Sequence, residues 1–417
     1  MSKKLDAVIL GAGKGTRMKS DLPKVLHEIC GVPMIYYAVS ALLDLKSCGN
    51  VTAVVGYKRE LVQKYLKEEF GARVSTSVQK TVNGTATAVA AGLSRLKSDY
   101  TIIMCADSAM IDADLINDAF KYHKRSKSDC TLVTKAVDDP RGLGRIIRTS
   151  NGLVSRIVEE IELGSDQKNI NEINTGIYIL NTKILKKYIK DIKINPKKKE
   201  YFFTDIIEIL NKSGKKVSAF CLEKVVPYFS VNSNMDLPAT ERIVRQYLIA
   251  KLISSGVRVM DPDSTFLGPK TAIGRDTIIY PFTFMENNVK IGDRCSVGPF
   301  CKLRNGAVIS DGAQIGSFAE LVRSTLGSGT KMNHMSYVGD TQVGSNVNIG
   351  AGTVVANYDG KNKNRTEIGD GAFIGSDSIL VSPVRIGKGA RTGAGCVVTK
   401  DVAAGTTVVG VPAKKIK

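Results

Sequence analysis

The hydrophobic pattern changes period once along the chain. Up to about residue 232, short apolar runs alternate with stretches whose apolar residues recur at helical spacing. Ala7–Leu10 and Val51–Val55 read as buried strands, and Tyr100–Ala106 as a third that runs directly into Asp107. Ile35, Ala38, Val39, Leu42 and Leu43 make the i, i+3, i+4, i+7, i+8 stripe of a helix opened by Pro33. Glu60–Phe70 and Thr85–Leu96 carry two more helices. Cys130–Val137, a hairpin turning at Asn151-Gly152, and Gly176–Leu180 add strands. This alternation predicts a mainly parallel sheet covered by helices on both faces, with ligands gathered at the carboxyl ends of its strands. Asp236 to Gly256 reads as one joining helix, with Asp236 as its cap and Gly256 as its stop.

Beyond that helix the period becomes six. Ile273, Ile279, Met285, Ile291, Val297, Leu303, Ile309, Ile315 and Leu321 are each six residues apart, and a second series runs Ile368, Ile374, Leu380, Ile386, Thr392, Val398. Four residues after each sits a small or β-branched one, from Thr277, Thr283 and Val289 to Ala319 and Thr325, and again from Ala372 to Val402. Two such columns in phase are the hexapeptide signature of a parallel β-helix, whose stacked coils align one large and one small residue per face. Cys295, Cys301 and Cys396 fall in the small column and read as packing. A polar stretch, Asn357 to Arg365, interrupts the pattern between Val355 and Ile368, and a loop leaving a regular solenoid is where chemistry is commonly grafted.

Composition narrows the class. With 417 residues, 43% apolar and 24% charged, an ordinary packed protein of two or three domains is expected. The longest uncharged stretch near the N-terminus, Cys30 to Leu43, falls short of the ~20 residues of a membrane span, and no secretory signal fits, so a soluble, cytoplasmic protein is expected. Eight cysteines show no CxxC pair and no ligand-like spacing with the three histidines, which argues against structural zinc or a disulfide framework. The formal charge of +19 is spread over both halves without a dense stripe or interleaved aromatics, and anionic small substrates explain it as well as nucleic acid would.

The first strand leads into Leu10-Gly11-Ala12-Gly13-Lys14-Gly15-Thr16-Arg17-Met18, followed by Leu22-Pro23-Lys24. This is neither the dinucleotide GxGxxG nor the Walker GxxxxGK[ST] pattern, yet its glycines let backbone N–H groups approach a base and phosphates, and Lys14, Arg17 and Lys24 supply positive charge. The string resembles the signature of sugar-phosphate nucleotidyltransferases. Asn83-Gly84-Thr85, Gly142-Leu143-Gly144-Arg145, Glu172-Ile173-Asn174-Thr175-Gly176 and Val231-Asn232 follow in order, and then, in the β-helix, Asn333-His334-Met335-Ser336-Tyr337, Asn346-Val347-Asn348-Ile349-Gly350-Ala351 and Asn357-Tyr358-Asp359-Gly360. Over almost its full length the chain resembles the bacterial bifunctional N-acetylglucosamine-1-phosphate uridyltransferase/glucosamine-1-phosphate N-acetyltransferases.

That resemblance implies a Rossmann-like nucleotidyltransferase domain over 1–232, a linker helix over 233–256, and a left-handed β-helix acetyltransferase domain over 257–417. It implies small-molecule substrates (UTP, N-acetylglucosamine 1-phosphate, glucosamine 1-phosphate and acetyl-CoA), with no nucleic acid and no membrane. Mg²⁺ would be held by Asp107 and Asn232. Leu10, Gly11, Ala12, Gly13, Lys24, Gln79, Gly84, Thr85, Gly144, Glu159 and Asn174 would contact the nucleotide sugar, and Arg17 the departing pyrophosphate. His334 would be the general base of acetyl transfer, with Asn357 nearby as an orienting or stabilising partner. Tyr337, Asn348 and Tyr358 would bind the amino sugar, Arg304 its phosphate, and Ala351, Ser376 and Ala394 would lie along acetyl-CoA. The family further implies a homotrimer with acetyl-transfer sites between neighbouring β-helices.

The chain departs from the family at several of these places. Val322 stands where a lysine usually flanks the sugar phosphate, and Gly410 where an arginine lies in the coenzyme A region. Each loss removes a charged hydrogen bond of about 1.5–3 kcal/mol, unless Arg323 substitutes for the first. Val82 replaces the second glutamine of a pair, Cys105-Ala106 precede Asp107 where a glycine is usual, and Glu160-Ile161 replace basic residues after Glu159. A narrower alternative keeps nucleotidyl transfer alone and leaves the β-helix as a trimerising or regulatory scaffold. The Asn-His and Asn-Tyr strings separate the two readings, because a pure scaffold has no use for them.

Overall fold

The computed structural model describes residues 5–108, 112–223 and 231–416. The chain divides into two compact units, residues 1–29 with 33–240, and residues 30–32 with 241–417.

In the first unit the chain runs β1 (Leu5–Gly11), α1 (Met34–Asp44), β2 (Cys48–Val55), α2 (Arg59–Phe70), β3 (Val74–Val78), α3 (Thr85–Gly92), β4 (Tyr100–Cys105), α4 (Ala113–Arg125), β5 (Cys130–Ala136), β6 (Arg145–Arg148), β7 (Val154–Val158), β8 (Glu172–Asn181), α5 (Thr182–Tyr188), α6 (Ile206–Lys212) and β9 (Val217–Leu222). The sheet order is β9-β5-β8-β4-β1-β2-β3. β4, β1, β2 and β3 pair in parallel, whereas β8 runs antiparallel to both β4 and β5. β6 and β7 form the expected hairpin. Strand β1 is buried almost throughout, as a central strand covered on both faces must be. α1, α2 and α4 supply the apolar layer on one face and α3, α5 and α6 that on the other. The third helix stops at Gly92 and continues as a tighter turn over Leu93–Arg95, so it is shorter than its hydrophobic pattern suggests.

α7 spans Asp236–Ser254, and Gly256 at φ +97 ends it as anticipated. Asp236 does not cap it in the expected way. Its carboxylate reaches back to accept the N–H groups of Asn232 (2.8 Å) and Ser233 (2.7 Å), tying down the segment before the helix.

The second unit is a parallel β-helix of three faces. Strands on each face pair with those one coil on, as in Ile279↔Val297↔Ile315 on the first face and Met285↔Leu303↔Leu321 on the second. The large column is buried to the end, and Cys295, Cys301 and Cys396 pack inside it. The column also continues through a stretch whose period of six fails. Leu326, Met332, Val338, Val343, Ile349 and Val355 carry it, with five residues instead of six after Leu321 and after Val338. One residue is therefore missing at the same corner of two successive coils. The slip also corrects the small column there: Ser324 is buried, while Thr325, expected inside, is only half-buried.

Candidate active sites

In the first unit the chemistry collects beyond the carboxyl ends of β1 and β4. A cleft of about 530 Å³ is lined by the Leu10–Thr16 turn, Lys24, Gln79, Gly84 and Thr85, and a smaller one of about 280 Å³ by Gly144, Glu159, Asn174 and Asn232. Leu10, Thr85, Cys105, Asp107 and Glu159 line both. Two glycines make this geometry possible. Gly15, at φ +65, lies so close to Lys24 that a Cβ on it would stand 2.6 Å from the lysine Cβ. Gly84, at φ +130, packs against the Tyr201 backbone, where any Cβ would collide.

The cations and their acceptors meet at one point. Lys24 Nζ donates to Asp107 Oδ2 (2.5 Å) and to Asn232 Oδ1 (3.2 Å), and Arg17 Nη2 donates to the same Asn232 oxygen (3.0 Å). Two oxygens brought from the end of β4 and from the segment before α7 thus share one positive charge. That set fits Mg²⁺, which takes hard oxygen donors from one or two side chains and completes its shell with phosphates and water. Among the described residues no group of three or more His, Cys, Asp or Glu side chains forms a protein-only cage.

Neighbouring groups are fixed by hydrogen bonds. Glu159 accepts from the Thr204 hydroxyl (3.0 Å), and burial pushes its carboxyl above the usual range against that pull. Asn174 donates to Tyr178 Oη (2.7 Å) and accepts from Gly176 N–H (3.1 Å). Gln79 commits its amide nitrogen to Gly84 O (3.0 Å) and Thr87 Oγ1 (2.8 Å), so it braces the Gly84 turn as well as lining the cleft. Burial opposes ionisation of Asp236, but the N–H groups of Asn232 and Ser233 and the Ser233 hydroxyl more than offset it. Cys105, beside Asp107, is a packing thiol: burial, with Asp107 second, pushes it up to about 12. Thr204 and Tyr178 were given no role by sequence, and Asp236 only that of a helix cap. Only Asp236 left a usable signal, its four-residue spacing from Asn232 at a helix start.

In the second unit four of the expected acetyl-transfer residues share one column, and the others lie elsewhere around the coil. Register places His334, Ala351, Ser376 and Ala394 at the same position, two residues past the buried residue of the first face, on four successive coils. Gly410 continues that column. Asn348 lies on the first face itself. Arg304 and Tyr337 belong to the second face, and Arg323, Asp340 and Asn357 to its far corner, at the other end of the second-face strand from His334. Within one chain, therefore, Asn357 is not beside His334, and their expected proximity would have to arise between two copies. Tyr358 is exposed in the loop that follows.

The cations at that corner are already engaged. Arg304 pairs with Glu320 (3.0 Å) and Glu286 (3.5 Å), and Arg323 sets its fork on Asp340 at 2.6 and 2.8 Å. Val322 is buried, and Arg323 does not replace the missing lysine as a free cation.

Fold and sites together define a nucleotidyltransferase joined to a hexapeptide-repeat transferase. Residues 6–226 match the nucleotidyl transferase family, and residues 365–400 the bacterial transferase hexapeptide repeats. A solved Bacillus anthracis structure, provisionally named glucose-1-phosphate thymidylyltransferase, shares the fold at 22% identity and a TM-score of 0.50, over 58% of this chain and 95% of its own. Proteins named Bifunctional protein GlmU are similar along almost the whole length. The protein from Fervidobacterium nodosum is 40% identical over 95% of this chain and 93% of its own, and that from Carboxydothermus hydrogenoformans 38% over 95% and 96%. The Bacillus subtilis protein is 36% identical over 95% and 93%. The chain belongs to this family, and its two activities are uridylyl transfer and glucosamine-1-phosphate acetylation in UDP-N-acetylglucosamine synthesis. Among the described residues no helix is long and apolar enough to cross a membrane.

Proposed function

We propose that the two reactions run at separate centres, one enclosed within the first unit and one completed only between copies of the second. In the first, the 1-phosphate oxygen of N-acetylglucosamine 1-phosphate attacks the α-phosphorus of UTP in line, and the bond to pyrophosphate breaks. The observation that carries this reading is that Asp107 lines both clefts, at the junction where a nucleotide in the larger and a sugar phosphate in the smaller would meet. Asp107 and Asn232 would hold Mg²⁺, which would screen the two polyanions from each other. Lys24 then shifts from those oxygens to phosphate, Arg17 steadies the departing pyrophosphate, and the Leu10–Gly13 turn offers backbone N–H groups to the nucleotide. Gln79, Gly84 and Thr85 shape the nucleotide side, while Gly144, Glu159 and Asn174 hold the sugar.

At the second centre the amine of glucosamine 1-phosphate attacks the thioester carbonyl of acetyl-CoA, His334 takes the amine proton, and coenzyme A leaves as the thiol. Ala351, Ser376 and Ala394, small residues stacked beyond His334, form the floor along which acetyl-CoA lies. Arg304, Tyr337, Asn348, Asn357 and Tyr358 bind the acceptor. Because these residues sit on separate edges of one β-helix, the site is completed by a second copy, in a homotrimer. An exposed ladder supports that assembly: Phe282, Phe300 and Phe318 stack at 4.8 and 5.4 Å, Met335 continues the column, and each lies one residue beyond the His334 position of its coil. Such a strip marks a protein contact.

Purified protein given UTP, N-acetylglucosamine 1-phosphate and Mg²⁺ is expected to release pyrophosphate. Given acetyl-CoA and glucosamine 1-phosphate, it is expected to release a free thiol. Pyrophosphate without thiol would leave the β-helix a scaffold.

A further inference from the structure

The corner between the second and third faces breaks the solenoid's rhythm on three consecutive coils. Spacing between buried residues shrinks to five after Leu321 and after Val338, then opens to thirteen after Val355, where six is the rule. Each irregular turn contributes one polar residue at the same register: Arg323, Asp340 and Asn357. Arg323 and Asp340 both adopt the left-handed backbone region (φ 46 and 50).

These residues form a directed chain of hydrogen bonds. Arg323 Nε donates to Asp340 Oδ1 (2.6 Å) and Nη2 to Oδ2 (2.8 Å), a forked pair. The same Oδ2 accepts Asn357 Nδ2 (2.5 Å). Asn357 is almost wholly buried, and its backbone is anchored through Val355 O and Asn364 N. Beside it, a Cβ on Gly339 would lie 2.7 Å from both Asn357 Nδ2 and Tyr337 Oη, so only bare backbone lets the amide and the phenol converge.

The two ends of a primary amide are nearly the same size, so packing alone does not choose between them. An ionised carboxylate does, because it only accepts. Arg323, first among its partners, holds the Asp340 carboxyl below the usual range against the effect of burial. We infer that Asp340, clamped by Arg323, is the positioning residue of the acetyl-acceptor site and sets which end of the Asn357 amide faces the substrate. The inference rests on the reading of Asn357 as an acceptor-site residue. It also explains why Arg323 is not free to replace the missing lysine: its charge serves Asp340.

The test is a double-mutant cycle on thiol release from acetyl-CoA with glucosamine 1-phosphate. Asp340→Asn keeps the shape and loses the selection, so kcat is expected to fall about thirtyfold, the size of a lost charged hydrogen bond. KM for acetyl-CoA should move less than twofold. In the Asn357→Ala background the same change should have no further effect, because Asp340 acts through that amide. A merely structural role would add its loss in both backgrounds. Arg323→Met should lower kcat in the same direction, by about fivefold, and decides the matter if Asp340→Asn does not fold. Arg385→Met, which breaks an exposed pair with Glu367 on the third face, serves as the neutral control. If Asp340→Asn (or, failing that, Arg323→Met) stays within twofold of wild type while Asn357→Ala is severely impaired, the positioning role is overturned and the site reading stands. If Asn357→Ala is itself unimpaired, the site reading fails and the inference with it.

Discussion

The first unit folds its chemistry inward, whereas the second lays it out along its edges. In a mainly parallel sheet, loops from distant parts of the chain emerge at one end, so residues as far apart as Lys24, Asp107 and Asn232 meet around a single charge. A solenoid is close to one-dimensional: each coil touches only its neighbours, and like positions stack in columns. His334, Ala351, Ser376 and Ala394 make one such column, and Arg323, Asp340 and Asn357 another. Columns on different corners cannot converge within the chain that carries them. On the proposed assignments, one architecture supplies a complete site and the other supplies halves.

The sharpest way to break this contrast is to remove one group from each centre. Asp107→Ala is expected to lower pyrophosphate release on the order of a thousandfold by removing the carboxylate proposed to hold Mg²⁺. Chelating Mg²⁺ should do the same to wild-type protein. Neither should change thiol release by more than twofold. His334→Ala should cost about a hundredfold or more in thiol release, the usual contribution of a general base, with pyrophosphate release untouched. Any cross-effect beyond twofold, measured by parallel assays on one preparation, would mean the centres are not independent.

A smaller effect tests whether the halves need each other. Phe300→Asp places a charge in the middle of the exposed ladder, between Phe282 and Phe318. Light scattering should show dissociation to single chains, and thiol release should fall about tenfold or more as the shared site opens. Pyrophosphate release per chain should persist. Thiol release surviving in a proven monomer would return all the acetyl-transfer chemistry to one subunit.

What could be read beforehand follows the same division. Hydrophobic period located the strands of the first unit and the coils of the second, because both are repeats of a spacing. It failed at Thr325 and through the coils from Leu326 to Val355, since a single residue missing from a corner shifts every later position by one. Motif strings singled out Asp107, Asn232 and His334, whose residue types are distinctive, and the first two do meet at Lys24. They did not show what Asp236 and Thr204 would hold, or which carboxylates pair with Arg304 and Arg323, because such contacts depend on which turns face each other in space. Within one chain Asn357 and His334 stand at opposite ends of the second-face strand, so their expected proximity calls for the neighbouring β-helix that the resemblance also implies.

The finest distinction lies in the glycines. Gly13 in the nucleotide turn has negative φ and nothing within 4 Å of where a Cβ would stand, so the fold does not require it to be glycine. Gly350, on the first face, has Ser376 N only 2.5 Å from the same position, because the next coil is stacked directly above it. Gly13→Ala is thus expected to leave Tm within about 1 °C while raising KM for UTP about three- to tenfold, since a methyl group intrudes where backbone must approach the nucleotide. Gly350→Ala should do the reverse. Overpacking between coils costs typically 1–3 kcal/mol and should lower the unfolding transition of the β-helix by several degrees, with KM for UTP unchanged. Calorimetry and initial rates on the two variants separate a glycine kept for a ligand from one kept for a neighbouring coil. Equal losses of stability would mean that the turn after β1 is as tightly constrained as the solenoid, and that its openness is not a feature of the nucleotide site.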